Sequence, residues 1–357
     1  MIKLLHSADW HMDAPLRALA PEQAKLVREE MLRLPGRIAQ LCRREGCQAM
    51  LLAGDIFDGP YTPESLHAVR SALEETAVPV FIAPGNHDFY SSRSPWYRES
   101  WPGNVHIFSS GEMISVSVPE LDCRVYGAAF TAGENSGLLR GFHAEGLERY
   151  AVAVLHGDPL SPTSPYGPVT ALQARESGLD YLALGHIHAG GSASVGAGLM
   201  AWPGCPMGHG FDETGVKGVL IAELDETARV RFCPVEGFRF YDFSVRAGHD
   251  PLSAAESVLP GVGSRDFYRI TFTGEAKPLR LEQLHKALGH FPNLVLRDET
   301  AAPENLWEGA GEDSLEGLYF RILRDAQKDA DEQTVRALEL AAKLSRQILT
   351  GQEVELP

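Results

Sequence analysis

Lys3-Leu4-Leu5-His6-Ser7-Ala8-Asp9-Trp10-His11 puts an apolar stretch, Lys3–Leu5, just ahead of a carboxylate and an imidazole two residues apart. The same arrangement returns four times. Ala49–Ala53 runs into Gly54-Asp55-Ile56-Phe57-Asp58, and Val80–Ala83 into Gly85-Asn86-His87-Asp88. Ala151–Leu155 precedes His156-Gly157-Asp158, and Tyr181–Leu184 precedes Gly185-His186-Ile187-His188. Short apolar runs ending in polar tips read as strands that deliver side chains to one edge of a sheet. One Asp-x-His alone is a chance event, but five such clusters in order hold five of the chain's thirteen histidines. Together they point to a two-metal phosphoesterase.

That chemistry needs these residue types. Two divalent ions ~3.5–4 Å apart clamp the attacking and leaving oxygens of an in-line displacement at phosphorus. Mixed imidazole and oxygen donors suit manganese, iron or zinc better than magnesium or calcium. The candidate ligands are Asp9, His11, Asp55, Asn86, His156, His186 and His188. Asp55, flanked by Gly54, is the natural bridge. Asp9, His11 and His188 would complete one ion, and Asn86, His156 and His186 the other. In an extended segment the rings of His186 and His188 point to opposite sides, so each can serve a different ion. His87 neighbours a ligand without needing to be one, and a protonated imidazole there can donate to the leaving oxygen. Asp58 and Asp88 are candidates to hold that ring or its loop.

The flanking segments alternate strand and helix. Glu22–Leu34 and Arg37–Glu45 read as helices separated by Pro35-Gly36, with Ile38 and Leu41 toward the sheet. Pro63–Ala77 reads as the next crossover helix, opening on Pro63 and Glu64. Met113–Val118 with Arg124–Ala129, and Gly218–Leu224 with Arg229–Pro234, read as hairpins. These strand–helix–strand units make an α/β fold. After Gly237 come strand Phe240–Arg246, helix Ser253–Val258, strand Phe267–Thr273, helix Leu279–Leu288 and strand Leu294–Arg297, a small α/β cap. Two helices end the chain. Asp313-x-x-Glu316 looks like a capping box, after which Leu315, Leu318, Tyr319, Ile322 and Ala326 share one face. The last helix, Glu332 to Leu349, presents Val335, Leu338, Ala341, Ala342, Ile348 and Leu349. The plain reading packs both stripes on the cap, and the sharper one docks them on a partner. The expected division is 1–236, 237–312 and 313–357.

The five clusters resemble those of the calcineurin-like metallophosphoesterase superfamily. More narrowly the chain is similar to SbcD-type DNA repair exonucleases and, among these, to the bacterial YhaO-like branch. Three features carry this: Asp9-Trp10-His11 running into Met12-Asp13-Ala14-Pro15, the Trp202-Pro203-Gly204-Cys205-Pro206 and Gly210–Gly218 segments after His188, and a smaller C-terminal domain. The resemblance spans roughly residues 1–240. It implies a four-layer αββα sandwich, a hydroxide between the ions as nucleophile, and His87 as general acid. It also implies DNA as substrate and terminal helices that engage the coiled-coil base of an SbcC-like, SMC-family ATPase. A homodimer is compatible with it. Two positions depart from relatives: Asp58 stands where archaeal and eukaryotic members carry a second histidine, and His209 where YhaO-like chains tend to have arginine.

Composition bounds these readings. The 44% apolar and 22% charged content over 357 residues describes a globular protein of two domains. No run approaches the ~18 apolar residues of a membrane span, and no secretory leader is evident, so the expected location is cytoplasmic and off the membrane. Five scattered cysteines form no CxxC pair, as befits reduced thiols. A phosphate loop for ATP is missing, so an ATP-driven step would need another polypeptide. The net charge of −16 opposes autonomous DNA binding, which favours a basic stripe. Residues 1–236 carry 18 basic and 28 acidic side chains, and 237–357 carry 14 and 20. The alternative is therefore a stand-alone phosphomonoesterase or phosphodiesterase acting on nucleotides or other small phosphoesters. A pure scaffold that bridges DNA ends would have no use for seven ligands.

Overall fold

A computed structural model describes residues 1–261, 263–302 and 305–351. In chain order the elements are β1 (Ile2–Ser7), α1 (Pro21–Met31), α2 (Leu34–Arg44), β2 (Ala49–Leu52), α3 (Pro63–Glu75), β3 (Val80–Ile82), α4 (Pro95–Arg98) and β4 (Val105–Ile107). They continue with β5 (Ile114–Val118), β6 (Cys123–Gly127), β7 (Tyr150–His156), α5 (Ala171–Glu176), β8 (Tyr181–Gly185), β9 (Gly191–Val195), β10 (Gly198–Trp202), β11 (Gly218–Leu224) and β12 (Ala228–Pro234). The remainder is β13 (Phe240–Arg246), α6 (Pro251–Glu256), β14 (Phe267–Thr273), α7 (Leu281–Ala287), β15 (Leu294–Asp298), α8 (Leu315–Ala326) and α9 (Glu332–Leu349).

Two six-stranded sheets run in the orders β12-β11-β1-β2-β3-β4 and β5-β6-β7-β8-β10-β9. β1, β2 and β3 are parallel neighbours in the first, and β7 and β8 in the second. Period-two alternation assigns the faces. Leu4, Ala49, Leu51 and Phe81 meet Val125, Val152, Val154, Tyr181 and Ala183 between the sheets. Leu5, Met50, Leu52, Val80 and Ile82 point the other way, against Val27, Met31, Ile38 and Leu41 of α1 and α2. The outer face of the second sheet is covered by Leu138, Leu139, Val169, Ala174 and Leu179. The mixed α/β sandwich is thus as expected, though its second outer layer is reduced to α5 and an irregular stretch across 128–149. His6 links the sheets: Nε2 donates to the Leu184 carbonyl at 3.0 Å, and Tyr181 Oη lies 2.8 Å from Nδ1. Burial pushes its imidazole down to about 3, so the ring is neutral.

Two local expectations need correction. Pro35-Gly36 does not separate two helices. Pro35 lies in the first turn of α2, where a missing N–H costs nothing, and the break comes at Leu32-Arg33. α8 is capped by Ser314, whose side chain accepts from Gly317 N at 2.9 Å, so Asp313 is not the cap.

The chain divides into two compact units. The first holds Met1–Phe243 and the opening residues of β14 and β15. The second holds α6, α7, the C-terminal helices and the rest of those strands. A three-stranded sheet runs β13-β14-β15. In the second unit a small core forms around Ala310, Phe320 and Ala342, with Leu306, Trp307 and Leu323 against it. The Arg346 guanidinium lies 4.6 Å over the Phe320 ring and donates to the Leu306 and Glu308 carbonyls. The α9 stripe is covered in part, Ala342 being buried in that core and Val335, Leu338 and Ala341 half-buried. The α8 stripe expected to pack on the cap stays open: Leu315, Leu318, Tyr319 and Ile322, with Ile348 and Leu349 of α9, are exposed along a groove of about 720 Å³. Phe320, on another face, takes the buried position. Among the described residues no helix is long and apolar enough to cross a membrane.

Candidate metal centre

All five polar clusters lie at the carboxyl ends of β1, β2, β3, β7 and β8, where the two sheets converge. The convergence is tight. A Cβ on Gly185 would lie 1.9 Å from the Ala53 carbonyl oxygen, so only glycine lets the end of β8 reach the end of β2. Four of the predicted ligands sit at positive φ: Asp9 at 54°, His11 at 44°, Asp55 at 51° and His186 at 88°. Such conformations are uncommon for non-glycine residues and cluster at functional sites.

Neighbouring backbone and side chains hold them there. Asp9 accepts from His186 N at 3.0 and 3.1 Å, which joins the first and last clusters. Asp55 Oδ1 accepts from His87 N at 2.9 Å. Its Oδ2 lies 3.9 Å from His11 Nε2 and 3.3 Å from His156 Nε2. His156 donates Nδ1–H to the Ala53 carbonyl at 2.8 Å, leaving Nε2 toward Asn86 Oδ1 at 2.8 Å. His11 and His188 bring their Nε2 atoms within 3.2 Å of each other. Ligand atoms therefore gather in two trios, Asp9–His11–His188 and Asp9–Asp55–His156. Asp55 lies between His11 and His156 as a bridge would, and Asp9 belongs to both groups. Among the described residues His186 joins no such trio of His, Cys, Asp or Glu donors. Its ring is 5.3 Å from that of His156, and its Nε2 is 4.0 Å from Asp158.

The electrostatics fit divalent cations. Asp9 and Asp55 are 0% and 2% exposed, and buried carboxylates demand compensating charge. Burial pushes Asp9 up, opposed by His156. Burial would raise Asp55 too, yet His156 and His11 hold it well below the usual carboxylate range. His156 resists its own burial through Asp55 and rises to about 9. His186 falls to about 4, through burial and the nearby His156.

Asp58 and Asp88 divide the bracing between them. Asp58 Oδ1 accepts from His87 Nδ1 at 2.7 Å and from His11 Nδ1 at 3.1 Å, and these hydrogen bonds hold it far below its ordinary value. The same bond from Asp58 raises His87, whose half-exposed ring faces solvent. Asp88 accepts from Ile56 N, Phe57 N and Gly85 N at 2.9, 3.2 and 2.8 Å, tying the β2 and β3 loops together.

Sequence reading missed Glu213. Its Oε1 accepts from His188 Nδ1, and its Oε2 accepts from His209 N at 2.7 Å and His209 Nδ1 at 2.8 Å. Burial opposes ionisation of Glu213, but these donors hold it well below the carboxylate range. His209 is thus engaged inward, its Nε2 facing the Trp10 carbonyl at 3.1 Å. Cys205 is buried nearby, its Sγ 3.7 Å from the His188 carbonyl and its thiol pushed up by burial.

The family model of the calcineurin-like phosphoesterases matches residues 2–190. The uncharacterized metallophosphoesterase YhaO of Bacillus subtilis (strain 168) is 30% identical over 250 residues, covering 62% of this chain and 57% of YhaO. The SbcD component of the SbcCD nuclease from the same organism is 23% identical, covering 62% of this chain and 66% of that one. The DNA double-strand break repair protein Mre11 of Aeropyrum pernix is 27% identical, covering 53% and 49%. The chain thus spans between about half and two thirds of these relatives' lengths. The family match takes in more than half of the chain and every one of the five strand-end clusters, and on that basis the chain belongs to the calcineurin-like phosphoesterase family.

Proposed function

We propose that this chain is a metal-dependent phosphodiester hydrolase acting on DNA, with two divalent ions, manganese foremost, and an SbcC-like ATPase as partner. One observation carries the chemistry: two trios of carboxylate and imidazole donors, all buried but the half-exposed His188, lie beside a histidine whose Nδ1 is held by a carboxylate. Asp9, His11 and His188 would hold one ion, Asn86, His156 and His186 the other, with Asp55 between them. Bound there, the ions would clamp the attacking and leaving oxygens. The chain's own acid–base work falls to His87. Asp58 takes its Nδ1–H at 2.7 Å, so Nε2 is the nitrogen free to pass a proton to the leaving oxygen. Asp58 also orients His11, so one carboxylate serves both the acid and a ligand.

Substrate class rests on what surrounds His87. A groove of about 620 Å³ opens beside it, with Tyr61, Leu66 and Phe89 as apolar and aromatic walls and Arg93 and Arg98 at the margin. A leaving group protonated by His87 lies on this side, and aromatic surface with guanidinium groups suits a nucleotide. The SbcD and Mre11 relatives, a nuclease component and a DNA double-strand break repair protein, point the same way. The acidic balance of −16 favours the alternative, a hydrolase of small phosphoesters. Incubation with manganese on linear duplex DNA, beside bis(p-nitrophenyl) phosphate, separates the two. Degradation of DNA to nucleotides is expected. Turnover of the chromogenic ester with DNA left whole would overturn the DNA assignment and keep the metal chemistry.

A further inference from the structure

We infer that Glu213 is a positioning residue for one ion only, the one assigned to Asp9, His11 and His188, an inference that rests on the two-ion reading above. Glu213 lies 25 residues beyond His188 and outside the stretch matched by the family model. Its side chain is 10% exposed and reaches the ligand from behind. Because Oε1 takes the proton on His188 Nδ1, the lone pair of that ring is on Nε2, the nitrogen 3.2 Å from His11 Nε2. The carboxylate thus selects the tautomer and the ring angle at once.

Glu213 does not act alone. His209 occupies its other oxygen through two N–H groups, and the far side of the His209 ring meets the carbonyl of Trp10, between Asp9 and His11. One chain of hydrogen bonds therefore runs from a ligand on the β8 loop, through the 203–217 segment, to the loop of the other two ligands. The backbone of His188 is gripped by the same segment, since Cys205 N and Lys217 Nζ both donate to its carbonyl, each at 3.4 Å. The other trio is held differently, His156 being fixed by the Ala53 carbonyl.

Titration of the full chain with MnCl2, followed by calorimetry and by the EPR signal of free manganese, tests this. Wild type should take up two ions. Glu213→Gln keeps the shape but sets an amide NH2 against N–H donors. It should weaken one ion about 10–100-fold, the usual cost of losing an outer-shell partner, and leave the other unchanged. His209→Ala, which spares the bond to His188, should lower the same ion's affinity by less. Circular dichroism and a thermal melt report folding. Unchanged affinity at both ions in a folded Glu213→Gln protein would sink the inference. An equal loss at both would also overturn it, because that is what a general brace would do. If Glu213→Gln does not fold, unchanged affinity in His209→Ala overturns it instead. If wild type binds a single ion, the two-ion reading falls, and with it the selectivity claimed here.

Discussion

Asp58 shares one carboxylate oxygen between two imidazoles, His87 at 2.7 Å and His11 at 3.1 Å. This sharing has a pH signature. The bond from Asp58 raises His87 above the ordinary histidine value near 6.5, so its acid form persists into more alkaline solution. Activity should fall as pH climbs through that raised value. Asp58→Asn removes the acceptor charge and should move the alkaline limb of the kcat profile to lower pH. A limb that stays put would show that another group sets it. His87→Ala should keep its bound manganese while kcat falls ~10²–10⁴-fold on substrates with poor leaving groups. Asp55→Asn should instead loosen both ions, which elemental analysis after dialysis would reveal. At this scale the site was largely legible, because each cluster is local: Asp9 and His11, or Asn86 and His87, announce themselves within a few residues. Glu213 was not, since its contact to His188 crosses 25 residues and that of His209 to Trp10 crosses 199. No local spacing marks such a pair.

At the scale of elements, strands were read more surely than helix faces. β13 and β14 run as their alternation indicates, since period two against a core leaves one solution. α8 misled because periodicity identifies an apolar stripe without saying what covers it. Phe320 claimed the core, and Leu315, Leu318, Tyr319 and Ile322 were left outside. If this face receives an ATPase, Ile322→Asp with Ile348→Asp should fold normally, both residues being more than half exposed, and lose co-purification with an SbcC-like ATPase. Retained co-purification would place the dock elsewhere. Hydrolysis of a small phosphodiester should be unaffected. The β8–β2 approach makes an opposite prediction. Gly185→Ala forces a methyl group against the Ala53 carbonyl and should cost about 1–3 kcal/mol, seen as a lowered Tm with reduced metal uptake.

Across the whole molecule the charge of −16 bears on the DNA proposal. Each phosphate contact contributes a slope of about −0.9 to log K against log salt, so a chain with few such contacts should bind duplex weakly and with a shallow slope. A steep slope for the isolated chain would mean that local arginines outweigh the net charge. The donors come from both sheets: Asp9, His11, Asp55 and Asn86 follow strands of the first, while His156, His186 and His188 lie at the ends of strands of the second. A divalent ion held by His11 and His188 would therefore also be a rivet between two layers already tied by His6, Asp9 and His156. Binding that favours the native state adds RT ln(1 + [L]/Kd), or about 2.7 kcal/mol for each ion present at a hundred times its Kd. Manganese should raise Tm and EDTA should lower it, even in His87→Ala, whose turnover is expected to fall. If that shift is found, metal supply would set the stability of the polypeptide as well as its rate.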